Sequence, residues 1–200
     1  MKYKDMKYAV KLLESEWDLG KKECGASGNI CAWIYLMEIL EETEQFVYYR
    51  KNDELIGFAG YSKSSSKKHI LKKKLYSFIK KQLYKSKKIK DLEALTDYEC
   101  NYNYLPSNME NYFDGEVSIL ILDKTYRGKG IGKELLLQVF DLAKKDGMKN
   151  IQILTDESCN WQFYEKLGCK KVYETIVENK EYGKLDNITT EQAFIYEKKL

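Results

Sequence analysis

The chain predicts a mixed α/β domain, and three observations carry that prediction. Apolar residues switch between helical spacing and strand-like alternation along the 200 residues. The stretch "SILILDKTYRGKGIGKELLLQVFDLAKKDG", residues 118–147, reads as a strand, a glycine turn and an amphipathic helix in succession. A further strand, "NIQILT", follows that helix directly and completes a βαβ crossover.

Each element has its own local reason. Residues 5–17 form an amphipathic helix with Met6, Val10 and Leu13 on one side. Residues 29–42, "NICAWIYLMEILEE", are apolar almost all round, as in a buried helix, with Asn29 placed to cap it. Residues 46–62 read as a hairpin around the polar turn Lys51-Asn52-Asp53-Glu54. The basic segment 67–90 reads as a helix whose apolar stripe is Leu71, Leu75, Phe78, Ile79 and Leu83. Residues 97–115 form an irregular polar and aromatic connection. A strand then covers 116–122 and a helix about 130–146, where Ile131, Leu135, Val139, Leu142 and Ala143 share a face and Gly147 ends it. After the strand 150–155, "SCNWQFYEKLG" is a short helix stopped by Gly168, and "CKKVYETIV" and "QAFIYEKKL" are two closing strands.

Composition narrows the function. The longest apolar run, Ile30 to Met37, is far shorter than the roughly 20 residues a membrane-spanning helix needs. The opening residues lack a secretory apolar block, so a cytoplasmic protein without membrane association is expected. Five cysteines without a CxxC pair, and one histidine, His69, suggest neither a zinc site nor a disulfide framework, so no metal is expected. Charge is uneven. Residues 67–90 hold eleven lysines and no acid, while the rest of the chain carries 31 acidic residues against 23 basic ones. That helix has either a solvated lysine face or a docking surface for an acidic partner such as nucleic acid; Phe78 on the apolar stripe argues against base stacking, so the nucleic-acid reading is the weaker.

The glycine turn carries the chemistry. A helix N-terminus offers unpaired N–H groups and the positive end of the helix dipole, and glycines let a bulky anion approach the backbone. Arg127, Lys129 and Lys133 add charge, so the turn suits a phosphate or pyrophosphate. The Walker pattern fails, because its first glycine falls on Arg127 and Glu134 stands where a hydroxyl is required. The dinucleotide pattern fails too, because its third glycine falls on Leu135. The pattern that fits is R-x-x-G-x-G, on Arg127, Gly130 and Gly132.

"LDKTYRGKGIGKELL" resembles the acetyl-CoA-binding motif of the GNAT superfamily of N-acetyltransferases, and "NWQFYEKLGCKKV", 160–172, resembles that family's second signature. The two cover about 55 residues, in family order and at family spacing. The resemblance implies one acetyltransferase domain over 1–200, with a mostly antiparallel twisted sheet, a central βαβ crossover and flanking helices. The sequence departs from the family in three places. The first strand is missing or reduced to "MKYK", about 62–115 is a lysine-rich insert between the hairpin and the motif strand, and Cys169 replaces an aromatic residue.

The resemblance also implies the site. The backbone around Gly128, Lys129, Gly130, Ile131 and Gly132 would hold the cofactor, with Arg127, Lys129 and Lys133 toward the phosphates. The backbone of Ile121 and Leu122 would pair with the pantetheine arm, leaving the Leu122 N–H as oxyanion donor. Asn160 and Phe163 would complete the cofactor site. A lysine-type amine with a pKa of about 10.4 is almost wholly protonated at pH 7, so a base is needed. Glu116, eleven residues before Arg127, is the candidate, with Asp114 as fallback; Tyr164 is the candidate acid for the departing sulfur. Against these stand plainer readings: a solvated strand-start carboxylate for Glu116, a packed aromatic for Tyr164 and a helix cap for Asn160. Cys159 and Cys169 read as packing thiols, and His69 as a surface residue.

The function expected is acetyl transfer from acetyl-CoA to a primary amine by direct attack in a ternary complex. A CoA-binding sensor without catalysis and an RNA-associated acyltransferase acting on aminoacyl-tRNA are the alternatives. The amine, small molecule or peptide, the size of the acyl group and the oligomeric state, a homodimer included, are left open by the sequence.

Overall fold

The computed structural model describes residues 1–17, 25–64, 70–93, 106, 109, 112–181 and 184–200, side chains within 179–189 excepted. Its centre is a six-stranded sheet in the order β1-β2-β3-β4-β6-β5, flanked by helices. The elements are α1 (Tyr3–Trp17), α2 (Ile30–Glu42), β1 (Gln45–Lys51), β2 (Glu54–Lys63), α3 (Ile70–Tyr84) and β3 (Gly115–Leu122). Then come a 3-10 turn (Lys124–Tyr126), α4 (Ile131–Lys145), β4 (Asn150–Asp156), α5 (Gln162–Lys166), β5 (Lys170–Glu181) and β6 (Lys184–Lys199). Only the β3–β4 pair is parallel, as the crossover through α4 demands.

Local chemistry sets the ends. Asn52 and Asp53 take positive φ, 50° and 66°, which a two-residue hairpin turn needs. Gly147 (φ 82°) and Gly168 (φ 71°) end α4 and α5, as their positions predict. Asn29 occupies the N-cap position of α2, yet its side chain makes no capping hydrogen bond. The family's first strand has no counterpart among the described residues, because "MKYK" runs straight into α1.

The sheet is covered on both faces. α4 packs Leu135, Leu136, Val139 and Phe140 onto one face with Val117, Ile151 and Ile153; α1 and α2 pack Val10, Leu13, Leu36 and Leu40 onto the other with Phe58, Ile119 and Ile121. Arg50 ties α1 to β1 by donating to both oxygens of the buried Asp5 at 2.9 and 2.8 Å, which holds that carboxyl below its usual range.

α3 corrects one expectation. It packs against the α2 side through Tyr76, Ile79 and Leu83, while Leu71 (84% exposed), Leu75 and Phe78 face outward. Electrostatics sets this rotation. Lys80 pairs with Glu38 and Glu41 of α2, and Lys73 with the buried Glu44, so both lysines must face inward. His69, Cys24, Cys100 and most of the 97–115 connection lie outside the described residues.

A bulge positions the site. Gly60 pairs with Ile119 and Ser62 with Glu116, so the single residue Tyr61 faces two, Val117 and Ser118. The extra residue switches faces along β3. Val117, Leu120 and Leu122 join the α4 side, Ile119 and Ile121 the α1–α2 side. Strict alternation would have put Glu116 with Leu120 beneath α4; the bulge turns it toward α2. Next to it, a Cβ on Gly115 would lie 2.1 Å from the Ser62 carbonyl oxygen and 3.1 Å from the Lys63 Cα. Gly115→Ala must therefore push β2 and β3 apart. We expect a loss of about 2 kcal/mol or more, read as a lower urea midpoint at unchanged m-value.

Candidate active site

β3 and β4 meet at one rung, Glu116 opposite Gln152, and beyond it they are not paired. The gap opens toward the glycine turn at the C-terminal end of β3. Asp123 donates its N–H to Ile56 O on β2, so alternation directs the Leu122 N–H away from β2, into the gap.

At the closed end stands Glu116. Gln152 Nε2 donates to its Oε2 at 2.9 Å. Burial pushes this carboxyl up to about 7, with the Gln152 hydrogen bond acting to lower it and the Glu42 charge to raise it. It lines a cleft of about 240 Å³ with Glu42, Ser62, Lys63, Lys73 and Gln152. Asp114, the fallback base, points elsewhere. It accepts the N–H groups of Lys149 (2.6 Å) and Asn150 (3.3 Å), bonds that hold its carboxyl below the usual range.

At the open end, Gly128 (φ 74°) and Gly130 (φ 82°) take backbone conformations that side chains rarely adopt, and nothing lies within 4 Å of where a Cβ would be. Gly130 caps α4, leaving the first-turn N–H groups of Ile131, Gly132 and Lys133 without partners inside the helix. This open, donor-rich turn fits the pyrophosphate of a coenzyme A thioester. The cations around it differ in disposition. Arg127 donates to Glu16 of α1 and to the Leu122 carbonyl oxygen, stapling the turn to its surroundings. Lys129 reaches the Thr125 carbonyl oxygen at 3.1 Å and lies over the Tyr126 ring, while Lys133 is exposed.

The second motif closes over the first. A Cβ on Gly132 would come 3.8 Å from Phe163 Cζ, so α5 packs on the start of α4. Asn160 is exposed, and the N-terminus of α5 has no side-chain cap. Tyr164 packs between Phe163 and Tyr196. Burial raises its pKa first, with Cys159, Cys169 and Asp156 adding to the shift, so the hydroxyl keeps its proton. Cys169 is buried, and burial pushes the half-buried Cys159 thiol up to about 11.

One residue escaped the sequence reading. Tyr35 of α2 stands edge-on to Trp17, and its hydroxyl pKa is raised by burial, then by the charges of Glu38, Glu116, Glu42 and Cys159. The signal was present in the sequence: Tyr35, Glu38 and Glu42 recur at i, i+3 and i+7, a polar stripe on an otherwise apolar helix.

The chain is similar to known proteins in part of its sequence and in its fold. Residues 93–169 match the family model described as "Acetyltransferase (GNAT) family". The glucosamine 6-phosphate N-acetyltransferase of Trypanosoma brucei brucei is 33% identical over 54 residues, which is 27% of this chain and only 36% of that enzyme's length. Among solved structures, a protein of Pyrococcus horikoshii OT3 is similar in fold at TM-score 0.59 and 18% identity, over 100% of this chain and 94% of that one. The PaiA N-acetyltransferase of Thermoplasma acidophilum, solved with coenzyme A, is similar at TM-score 0.52 and 16% identity, over 100% and 96%. The family match spans β3, the glycine turn, α4, β4 and α5, less than half of the chain, which is similar to the GNAT family there, and the likeness to the solved structures is one of fold.

Proposed function

We propose that the whole chain is one N-acetyltransferase domain, with its insert at about 62–115, that transfers an acetyl group from acetyl-CoA to a primary amine by direct attack in a ternary complex. The observation that carries this reading is the position of Glu116, half-buried and with its carboxyl near pH 7, at the closed end of a gap whose open end is the glycine turn. When bound, acetyl-CoA supplies an activated acyl carbon. The rest is the work of this chain's residues.

The N–H groups from Gly128 to Gly132, with Lys129 and Lys133, hold the pyrophosphate; Asn160 and Phe163 flank the pantetheine arm, which lies along Ile121 and Leu122. The Leu122 N–H faces the acyl oxygen. Glu116 accepts a proton from the incoming ammonium, directly or through water, and so frees the nitrogen lone pair. Forming the C–N bond breaks the C–S bond, and Tyr164 donates its proton to the departing sulfur. The products are the acetamide and free coenzyme A thiol.

Gly130→Val places a branched side chain at φ 82° inside the turn. Calorimetry should give acetyl-CoA binding weakened at least about tenfold, with the fold intact by circular dichroism. Glu116→Gln should lower kcat about 10²- to 10⁴-fold. In the parent, kcat/KM falls as pH drops through about 7 because the base is protonated; the variant should lose that limb. The same substitution should leave the protein more stable than the parent above pH 7. The raised carboxyl pKa makes the parent lose stability as pH rises between about 4.5 and 7, and the difference vanishes below that window. Tyr164→Phe should lower kcat about tenfold or more at unchanged acetyl-CoA affinity; an unchanged kcat removes Tyr164 as the proton donor. Acetyl-CoA binding without thiol release across a panel of amines would favour a sensor over an enzyme.

A further inference from the structure

The outer face of α3 is neither a core face nor an ordinary solvated one. Leu71, Leu75 and Phe78 recur at i, i+4 and i+7, so they form one ridge, and they are 84%, 54% and 60% exposed. Single exposed apolar residues are ordinary on a protein surface, but three large ones along one ridge make a patch. Lys74, Lys81 and Lys85 run beside this ridge at the same helical spacing, and Lys72 stands on its other side; all four are exposed. Lys87, Lys88 and Lys90 extend the charge past the end of the helix, and residues 67–90 contain no acid. The inward lysines differ: Lys73 is paired with Glu44, and Lys80 with Glu38 and Glu41.

The chemistry of this face selects among anionic partners. A nucleic-acid backbone would pair with the lysines but leave Leu71 and Leu75 without a contact. Protein interfaces are ordinarily poor in lysine. A second copy of the chain would bring the same lysines against these, and like charges repel. A bilayer containing anionic lipid satisfies both halves of the face. Its acyl boundary takes the apolar ridge, while the lysine stems lie along that boundary and their ammonium groups stay among the headgroups. Packing leaves the ridge available, because α3 is anchored on the α2 side through Tyr76, Ile79 and Leu83.

We propose that α3 docks the protein on an anionic lipid surface, lying in the interface with Leu71, Leu75 and Phe78 inserted and Lys74, Lys81 and Lys85 among the headgroups. No helix among the described residues is long and apolar enough to cross a membrane, and a helix lying on the surface need not be. The expectation of a chain without membrane association rests on the lack of a spanning or secretory segment, and docking of this kind requires neither. The inference is independent of the acetyl-transfer reading.

The test is co-sedimentation of the full chain with vesicles of equal parts phosphatidylcholine and phosphatidylserine, against pure phosphatidylcholine vesicles, at low ionic strength. Binding to the anionic vesicles should be at least about tenfold tighter and should weaken with salt. Two triple variants separate the contributions: Leu71→Gln with Leu75→Gln and Phe78→Gln, and Lys74→Gln with Lys81→Gln and Lys85→Gln. Each should lose about tenfold or more in vesicle affinity while keeping the parent's circular dichroism. Leu71→Gln alone, at a residue 84% exposed, carries the same test if the apolar triple misfolds, and should lose about threefold. A parent that does not bind anionic vesicles, equal binding to neutral ones, or an apolar variant that binds like the parent overturns the inference. Binding to single-stranded RNA as tight as to vesicles, and untouched by the apolar triple, marks a general polyanion site and overturns it. A lipid-free dimer of the parent that the apolar triple dissolves marks a self-interface and overturns it too.

Discussion

The architecture turns on the rung between Glu116 and Gln152. It is where the two halves of the sheet join, and the strands part beyond it. A parallel pair that continued to Leu122 would close the gap and leave no backbone free for a ligand. A pair that never formed would leave β4, β5 and β6 joined to the rest only through α4 and the core beneath it. One rung holds the sheet together and opens it, and the side chains at that rung are the carboxyl with the raised pKa and the amide that steadies it. Structural joint and candidate chemistry are the same two residues.

The bulge opposite Tyr61 gives this rung its direction. By switching faces between Glu116 and Ile119, it aims the carboxyl at α2 and leaves Leu120 and Leu122 to anchor α4. α2 then answers with its own polar stripe of Tyr35, Glu38 and Glu42. The insert helix α3 takes its rotation from the same acids. Lys73 and Lys80 are drawn inward by charge, against the pull of the more regular apolar stripe at Leu71, Leu75 and Phe78. An apolar period fixes which residues could face a core; a buried carboxylate decides which must.

Most of the fold was legible along the chain. The hairpin, the crossover, the glycine stops and the packed face of α4 all rest on interactions within a few residues of each other, where period and turn chemistry act directly. The candidate site was legible where it is local, at the glycine turn, and also at Glu116 and Tyr164, whose places follow from the two motifs. Arg127 illustrates the limit. Its type and position were plain, but its pairing with Glu16, more than a hundred residues away in sequence, was not.

By itself the sequence determined the order of elements, the glycine turn and its mismatch with the nucleotide-binding patterns, because each depends on spacing within one segment. Only the tertiary structure decided that Glu116 faces α2 and not α4, that Gln152 is its partner, that Glu42 shares its cleft and that α3 turns Lys73 and Lys80 inward. Those outcomes depend on a one-residue bulge and on polar and charged groups brought together from α2, α3, β3 and β4, and spacing within one segment does not say which of them meet.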